Sequence, residues 1–176
     1  MKKVFCVLTL MLLALSMLSA SFSVVMPERR GDNYSILSFD GDVLPLDNSV
    51  FYKHWNGILA ENLDTGIYKI TEGSDSCIVV MSGASAEDLF FSLRFEEADT
   101  IIFQGDFNGD PEVLSEAGIK NVVFTRRLSE LEERLFQNEG INVIYTHPGS
   151  LIDIPLEYKK PELIYCPRCG YAFSLE

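Results

Sequence analysis

The chain has 176 residues, 47% of them hydrophobic, with 14 Lys and Arg against 26 Asp and Glu and a formal charge of −12. That length suits one domain with its own core, without disulfide help. So acidic a surface repels phosphates and anionic head groups, which disfavours nucleic acid as a direct partner.

Lys2 and Lys3 precede an uncharged stretch from Val4 to Met26. A basic start followed by an apolar run has the layout of a secretory leader. Residues 1–21 are therefore expected to be a signal peptide or an N-terminal membrane anchor, and the protein to be extracytoplasmic. Ser19-Ala20-Ser21 offers small residues for cleavage after Ser21, and Ser21-Phe22-Ser23 a second register. About 20 apolar residues can span a bilayer. An uncleaved leader would then be the membrane contact, with Lys2 and Lys3 on the cytoplasmic side. Cys6 belongs to this leader.

Residues 27–33 read as a polar linker, and an α/β domain is expected over 27–159. Tyr34 to Phe39 alternates as a strand, and Asp40-Gly41-Asp42 signals a turn. Residues 43–66 are ambiguous, with short strands possible around Val43 and Val50. Ile67 to Thr71 and Cys77 to Met81 read as strands joined by a turn at Glu72-Gly73-Ser74-Asp75. Ser85 suits a helix cap with Asp88 three residues on, and Leu89, Phe90 and Leu93 form an apolar face. Thr100 to Phe103 is a strand. Asp110-Pro111 opens a short helix over 111–117, with Gly118 after its end. Val122 to Thr125 is a strand. A helix over 128–139 places Leu128, Leu131, Leu135 and Phe136 toward the core. Strands follow at Ile141 to Tyr145 and Leu151 to Ile154, joined by the turn His147-Pro148-Gly149-Ser150. The alternation over 77–146 predicts an α/β fold, a mixed and largely parallel sheet with crossover helices.

Several stretches resemble, in order, the C-terminal half of a metallo-β-lactamase fold domain, as in DNA-uptake competence proteins of the ComEC type. Ile67–Gly83, ending Val-Val-Met-Ser-Gly, is similar to that family's hairpin ending Leu-Leu-Thr-Gly-Asp. Glu97–Gly105 resembles the strand leading to its His-His-Gly-Ser. Leu131–Thr146 resembles its final helix and strand. The resemblance implies a half domain of that fold. It also implies a degenerate one. The family's site needs His-x-His-x-Asp-His and further ligands to fix two metal ions, and this chain has two histidines, His54 and His147. Ala84 stands where the bridging Asp would follow Gly83, and Gly105-Asp106-Phe107 where the histidine pair would lie.

Cys166-Pro-Arg-Cys169-Gly170 resembles the knuckle of zinc ribbons and rubredoxin-like sites, within a C-terminal extension over 160–176. Two thiolates fill half of a tetrahedral zinc site, so a dimer sharing one zinc would complete it. A Cys166–Cys169 disulfide, which an oxidising compartment favours, and a metal-free knuckle are the other readings. Cys77 reads as a buried small hydrophobe. Asp106, Asn108 and Asp110 have the first spacings of a calcium loop, but Pro111 and Ala117 occupy its glycine and bidentate glutamate positions. Phe51, Tyr52, His54 and Trp55 form an aromatic cluster read as packing.

These features favour a non-catalytic interaction domain, with a protein partner or self-association, over an enzyme. Two alternatives stand beside it. One is a zinc- or thiol-dependent module using Cys166 and Cys169. The other is a hydrolase drawing on Asp40, Asp42, Asp106 and His147, for which no nucleophile–base pair shows at recognisable spacing.

Overall fold

The computed structural model describes residues 21–29, 31–47, 52–94, 96–156, 163–165 and 172–174. Two sheets pack face to face, and helices cover the outer face of the larger one. The larger sheet holds seven strands in reverse sequence order: β10 (Asn142–Tyr145), β9 (Asn121–Phe124), β8 (Thr100–Phe103), β7 (Asp75–Val80), β6 (Ile67–Glu72), β5 (Ile58–Asp64) and β4 (Tyr52–Trp55). β4 to β7 form an antiparallel meander, and β7 to β10 are parallel. The protein is α/β with a mixed sheet, but its pairings divide evenly between the two senses rather than being largely parallel.

The parallel half arises where the sequence alternates strand and helix. Helices α1 (Ala86–Leu93), α2 (Pro111–Glu116) and α3 (Glu130–Asn138) supply the crossovers. Each begins on a side-chain cap that satisfies an otherwise orphaned backbone N–H. Ser85 Oγ accepts from Asp88 N at 3.0 Å, and Asp110 Oδ1 from Glu112 N at 3.1 Å. Ser129 and Glu132 form a reciprocal capping box. Strands β8 and β9 are buried at every position, as expected of parallel strands covered on both faces. No helix among the described residues is long and apolar enough to cross a membrane.

The second sheet is antiparallel, in the order β11 (Leu151–Ile154), β1 (Phe22–Val25), β2 (Ser35–Ser38), β3 (Val43–Pro45). It packs through Phe22, Val24, Ile36 and Ile152 against Tyr68, Ile70, Cys77 and Val79 of the larger sheet. The expectation of one sheet closed by residues 151–154 is therefore corrected: that strand belongs to a separate sheet. One of its two inner strands, β1, comes from the end of the uncharged run that starts in the leader. The fold begins before residue 27. Phe22, Val24 and Met26 are buried because alternate residues of β1 point inward. Residues 27–33 are no bare linker either, since Asp32 O accepts a hydrogen bond from the Gln104 side chain at 2.7 Å.

Helix α3 departs from expectation in its facing. Phe136 is its buried residue, whereas Leu131 is 71% and Leu135 48% exposed. At about 100° per residue, Phe136 points well away from the Leu131–Leu135 stripe. Phe107 and Phe124, with ring centroids each 5.7 Å from that of Phe136, decide which side meets the sheet.

Candidate functional site

In open α/β sheets, ligands bind beyond the carboxyl ends of the parallel strands, where the chain leaves for its crossover helices. Here that edge is built by the loops after Val80, Phe103, Phe124 and Tyr145. It is also the edge to which the resemblance assigned Ala84, Gly105 and Asp106.

After β7, the chain runs through Ser82, Gly83 and Ala84, which offer no carboxylate or imidazole. After β8 comes Gln104, 7% exposed. Both ends of its amide are used: Oε1 accepts from Ser82 N at 2.8 Å, and Nε2 donates to Asp32 O at 2.7 Å. Gln104 thus ties the loops after β7 and β1 to the end of β8. Asp106 follows, and its carboxylate pairs with the Arg126 guanidinium from the loop after β9. Arg126 also reaches Glu132 at 3.4 Å. Burial works to lower the Arg126 pKa, but the bonds and charges of Asp106 and then Glu132 outweigh it and raise it. The Ser129 backbone and hydroxyl hold the Glu132 carboxyl below its usual range, with Arg126 adding to the effect.

Phe107 closes the helix-covered side of this edge. It lies against Phe90 at 6.2 Å, Phe103 at 5.3 Å and Phe136 at 5.7 Å between ring centroids. The backbone of Gly109 passes so close that a Cβ there would stand 2.3 Å from Phe90 Cζ and 2.7 Å from Phe107 Cζ. A cleft of about 210 Å³ remains on the other side, between Glu28 and Arg29, Asp106 and Arg126, Thr125 and Pro148. Asp106 and Arg126 are already engaged with each other, so this geometry suits recognition of a polar partner better than acid–base chemistry.

The remaining candidates do not line this cleft, although His147 directly precedes its Pro148. His147 is exposed in the turn before β11, where its carbonyl accepts from Ser150 N at 3.1 Å. Asp40 and Asp42 sit on the β2–β3 turn, at the end of the sandwich where β7 begins. β7 has six residues, so roughly 20 Å of strand separates that end from Asp106. Asp42 accepts from Asn56 Nδ2 at 2.7 Å. The four residues proposed for a hydrolase therefore do not share one site. Asp110 caps α2 and Asp106 pairs with Arg126, so the calcium spacing is spent on structure. Among the described residues, no three His, Cys, Asp or Glu side chains gather so as to hold a metal ion.

Compared with protein families, curated proteins and solved structures, the chain matches none.

Trp55 packs against the inter-sheet core, while Tyr52 and His54 are exposed and meet edge-on at 5.6 Å. Phe51 lies outside the described residues. Cys77 is fully buried, and burial, with Asp99 adding to it, pushes its thiol pKa up, so it is poorly suited to nucleophilic chemistry. Cys166, Cys169 and residues 1–20 lie outside the described residues. The strands bracketing the two cysteines, β12 (Leu163–Tyr165) and β13 (Ala172–Ser174), pair antiparallel with Ile164 opposite Phe173.

Sequence reasoning passed over Gln104, Arg126 and Phe107. Traces of Gln104 and Arg126 were present. Gln104 is the first polar side chain after the buried run Ile101-Ile102-Phe103, and Arg126-Arg127 interrupts an apolar strand where a loop must begin. No spacing rule links Arg126 to Asp106 across twenty residues.

Proposed function

We propose that the protein is an exported or membrane-anchored, non-catalytic interaction domain, built on a degenerate half of a metallo-β-lactamase-like fold. One observation carries this reading. At the strand edge where that family places its metal ligands, the polar side chains are engaged within the fold: Asp106 with the Arg126 guanidinium, and the Gln104 amide with the Ser82 N–H and the Asp32 carbonyl. Two packed sheets with helices on one outer face support the fold part of the reading. The leader-like N-terminus supports the location. The partner would be a protein, because the acidic surface disfavours nucleic acid.

The test is hydrolysis of a generic phosphodiester and of a β-lactam with zinc or manganese added. No turnover above the metal-only control is expected. Turnover that depends on metal and is lost in Asp106→Asn or His147→Ala would overturn the proposal.

A second reading rests on the β12–β13 hairpin, whose strands bracket Cys166 and Cys169 as the strands of a knuckle do. On this reading two chains share one zinc, with both thiols deprotonated, so affinity falls at low pH. Elemental analysis beside sizing should give half a zinc per chain and dissociation by chelator. A metal-free monomer that keeps its size in chelator would end this reading.

A further inference from the structure

Among the described strands, the two packed sheets end on β10 and β4, and on β11 and β3. An edge strand offers unpaired N–H and C=O groups, and charge or proline commonly guards it. Lys53 stands in β4, Asp153 in β11 and Pro45 in β3. β10, Asn142-Val-Ile-Tyr, carries neither charge nor proline, and all four of its residues are half-buried.

The outer side of β10 has a defined pattern. Asn142 N donates to Lys120 O at 2.8 Å and Thr146 N to Phe124 O at 3.0 Å, both toward β9. Alternate residues of a strand bond to the same neighbour, so Val143 and Tyr145 turn their backbone groups outward. A second β10, antiparallel about a two-fold axis at Ile144, sets Val143 opposite Tyr145 of that copy. Every outward group of these two residues then finds a partner. Asn142 falls opposite Thr146 of the second copy. Asn142 ends a side-chain ladder, in which its Nδ2 donates to Asn121 Oδ1 at 3.0 Å and Asn121 Nδ2 to Thr100 Oγ1 at 3.5 Å. Its amide oxygen can accept from the Thr146 hydroxyl.

Helix α3 supplies the charges. Tyr145 Oη donates to Glu133 at 3.3 Å, over β10, while Glu132 turns to Arg126 after β9. At about 100° per residue, Glu130 and Arg134 lie past Glu133, on the flank toward the outer side of β10. Both are exposed. The same axis sets Glu130 and Arg134 of one copy against Arg134 and Glu130 of the other, the self-complementarity that a two-fold interface requires. A foreign strand would satisfy the backbone alone, so the charges single out a second copy.

We propose that β10 and α3 form a two-fold interface, through which two copies of the chain join their seven-stranded sheets edge to edge. This rests on the interaction-domain reading, for which it names the partner. It needs neither Cys166 nor Cys169.

The experiment expresses the full chain in an export-competent host and sizes the purified protein by sedimentation velocity, with chelator and reductant present. These remove any zinc- or disulfide-linked pair, so a dimer that persists supports the interface. Arg134→Glu should weaken that dimer roughly tenfold, because two rim ion pairs turn repulsive. Combining Glu130→Arg with Arg134→Glu should restore it. Hydrogen exchange should be slow at the Val143 and Tyr145 amides in the dimer and fast in the Arg134→Glu monomer. A monomer at all concentrations overturns the inference and leaves the interaction domain with another partner. A monomer with slow exchange at both amides also overturns it, and assigns the edge to another part of the same chain. A dimer that ignores Arg134→Glu, or that exchanges fast at both amides, has its contact elsewhere and overturns it as well. Metal-dependent turnover in the hydrolysis test above would overturn the interaction-domain reading, while the sizing still judges the interface.

Discussion

Replacing Phe136 by Ala tests the packing of the helix-covered layer more sharply than any change at the exposed edge. The side chain is 3% exposed and meets Phe107 and Phe124 at 5.7 Å between centroids. A buried Phe removes about 150–250 Å² from water. At about 25 cal/mol per Å² that is roughly 4–6 kcal/mol, of which Ala keeps a part. Two aromatic contacts and an incompletely filled cavity act in the other direction. The expected loss is about 3–5 kcal/mol, the usual range for Phe→Ala in a core. Leu131→Ala and Leu135→Ala are the controls on the same helix. Leu131, 71% exposed, should cost no more than about 0.5 kcal/mol, and Leu135, 48% exposed, about 1 kcal/mol at most. Urea unfolding followed by circular dichroism would read all three, at a common slope. A loss at Leu131 equal to that at Phe136 would refute the helix facing described here, and with it the aromatic pocket as the anchor of α3.

Gln104→Ala should cost about 1–3 kcal/mol, because it removes two part-buried hydrogen bonds, one from Ser82 N and one to Asp32 O; an unchanged urea midpoint would show that the loops do not need this tie. Gly109→Ala should destabilise by about 1–3 kcal/mol through overpacking against Phe90 and Phe107, and a neutral result in thermal melting would mean that the rings move aside freely. Glu132 should titrate below an ordinary glutamate, and Ser129→Ala should bring it back toward the usual range, followed by carboxyl NMR. A carboxyl lowered in the folded state adds stability above its unfolded pKa and loses it as pH falls through the folded value. Melting temperature should therefore be less sensitive to acid in Ser129→Ala than in the parent, and an identical acid limb in both would contradict the assignment.

Much of the parallel half was legible because its signals are local. Asp110-Pro111 with Gly118, and Ser129 with Glu132, mark helix ends through bonds made within four residues. The runs at 101–103 and 122–124 are apolar because both of their faces are covered. The second sheet was hidden for a physical reason. Phe22-Ser-Val-Val is apolar, and so is the leader before it, so composition cannot divide one from the other. β5, seven residues long, escaped notice because its outer half, Glu61-Asn62-Leu63-Asp64, breaks the alternation around a bulge. The facing of α3 was missed because three apolar residues, Leu131, Leu135 and Phe136, share its surface, and only the partners across the layer choose among them. At the candidate site, Ala84 and Gly105 could be read directly as offering neither a carboxylate nor an imidazole. The pairing of Asp106 with Arg126 could not, since it joins loops that meet only after the strands align.

The position of β1 has a consequence for how the chain folds. Every strand of the seven-stranded sheet pairs with a neighbour in sequence, so that sheet can grow by closing short loops one after another. β1 instead sits between β2 and β11, and Phe22 lies opposite both Ser38 and Ile154. Joining the two ends of the domain closes a very long loop, the kind of non-local contact that slows folding. A chain threading outward N-terminus first would therefore expose Phe22, Val24 and Met26 until residue 154 has followed. During that interval a holding factor that covers apolar strands would have its greatest effect on yield.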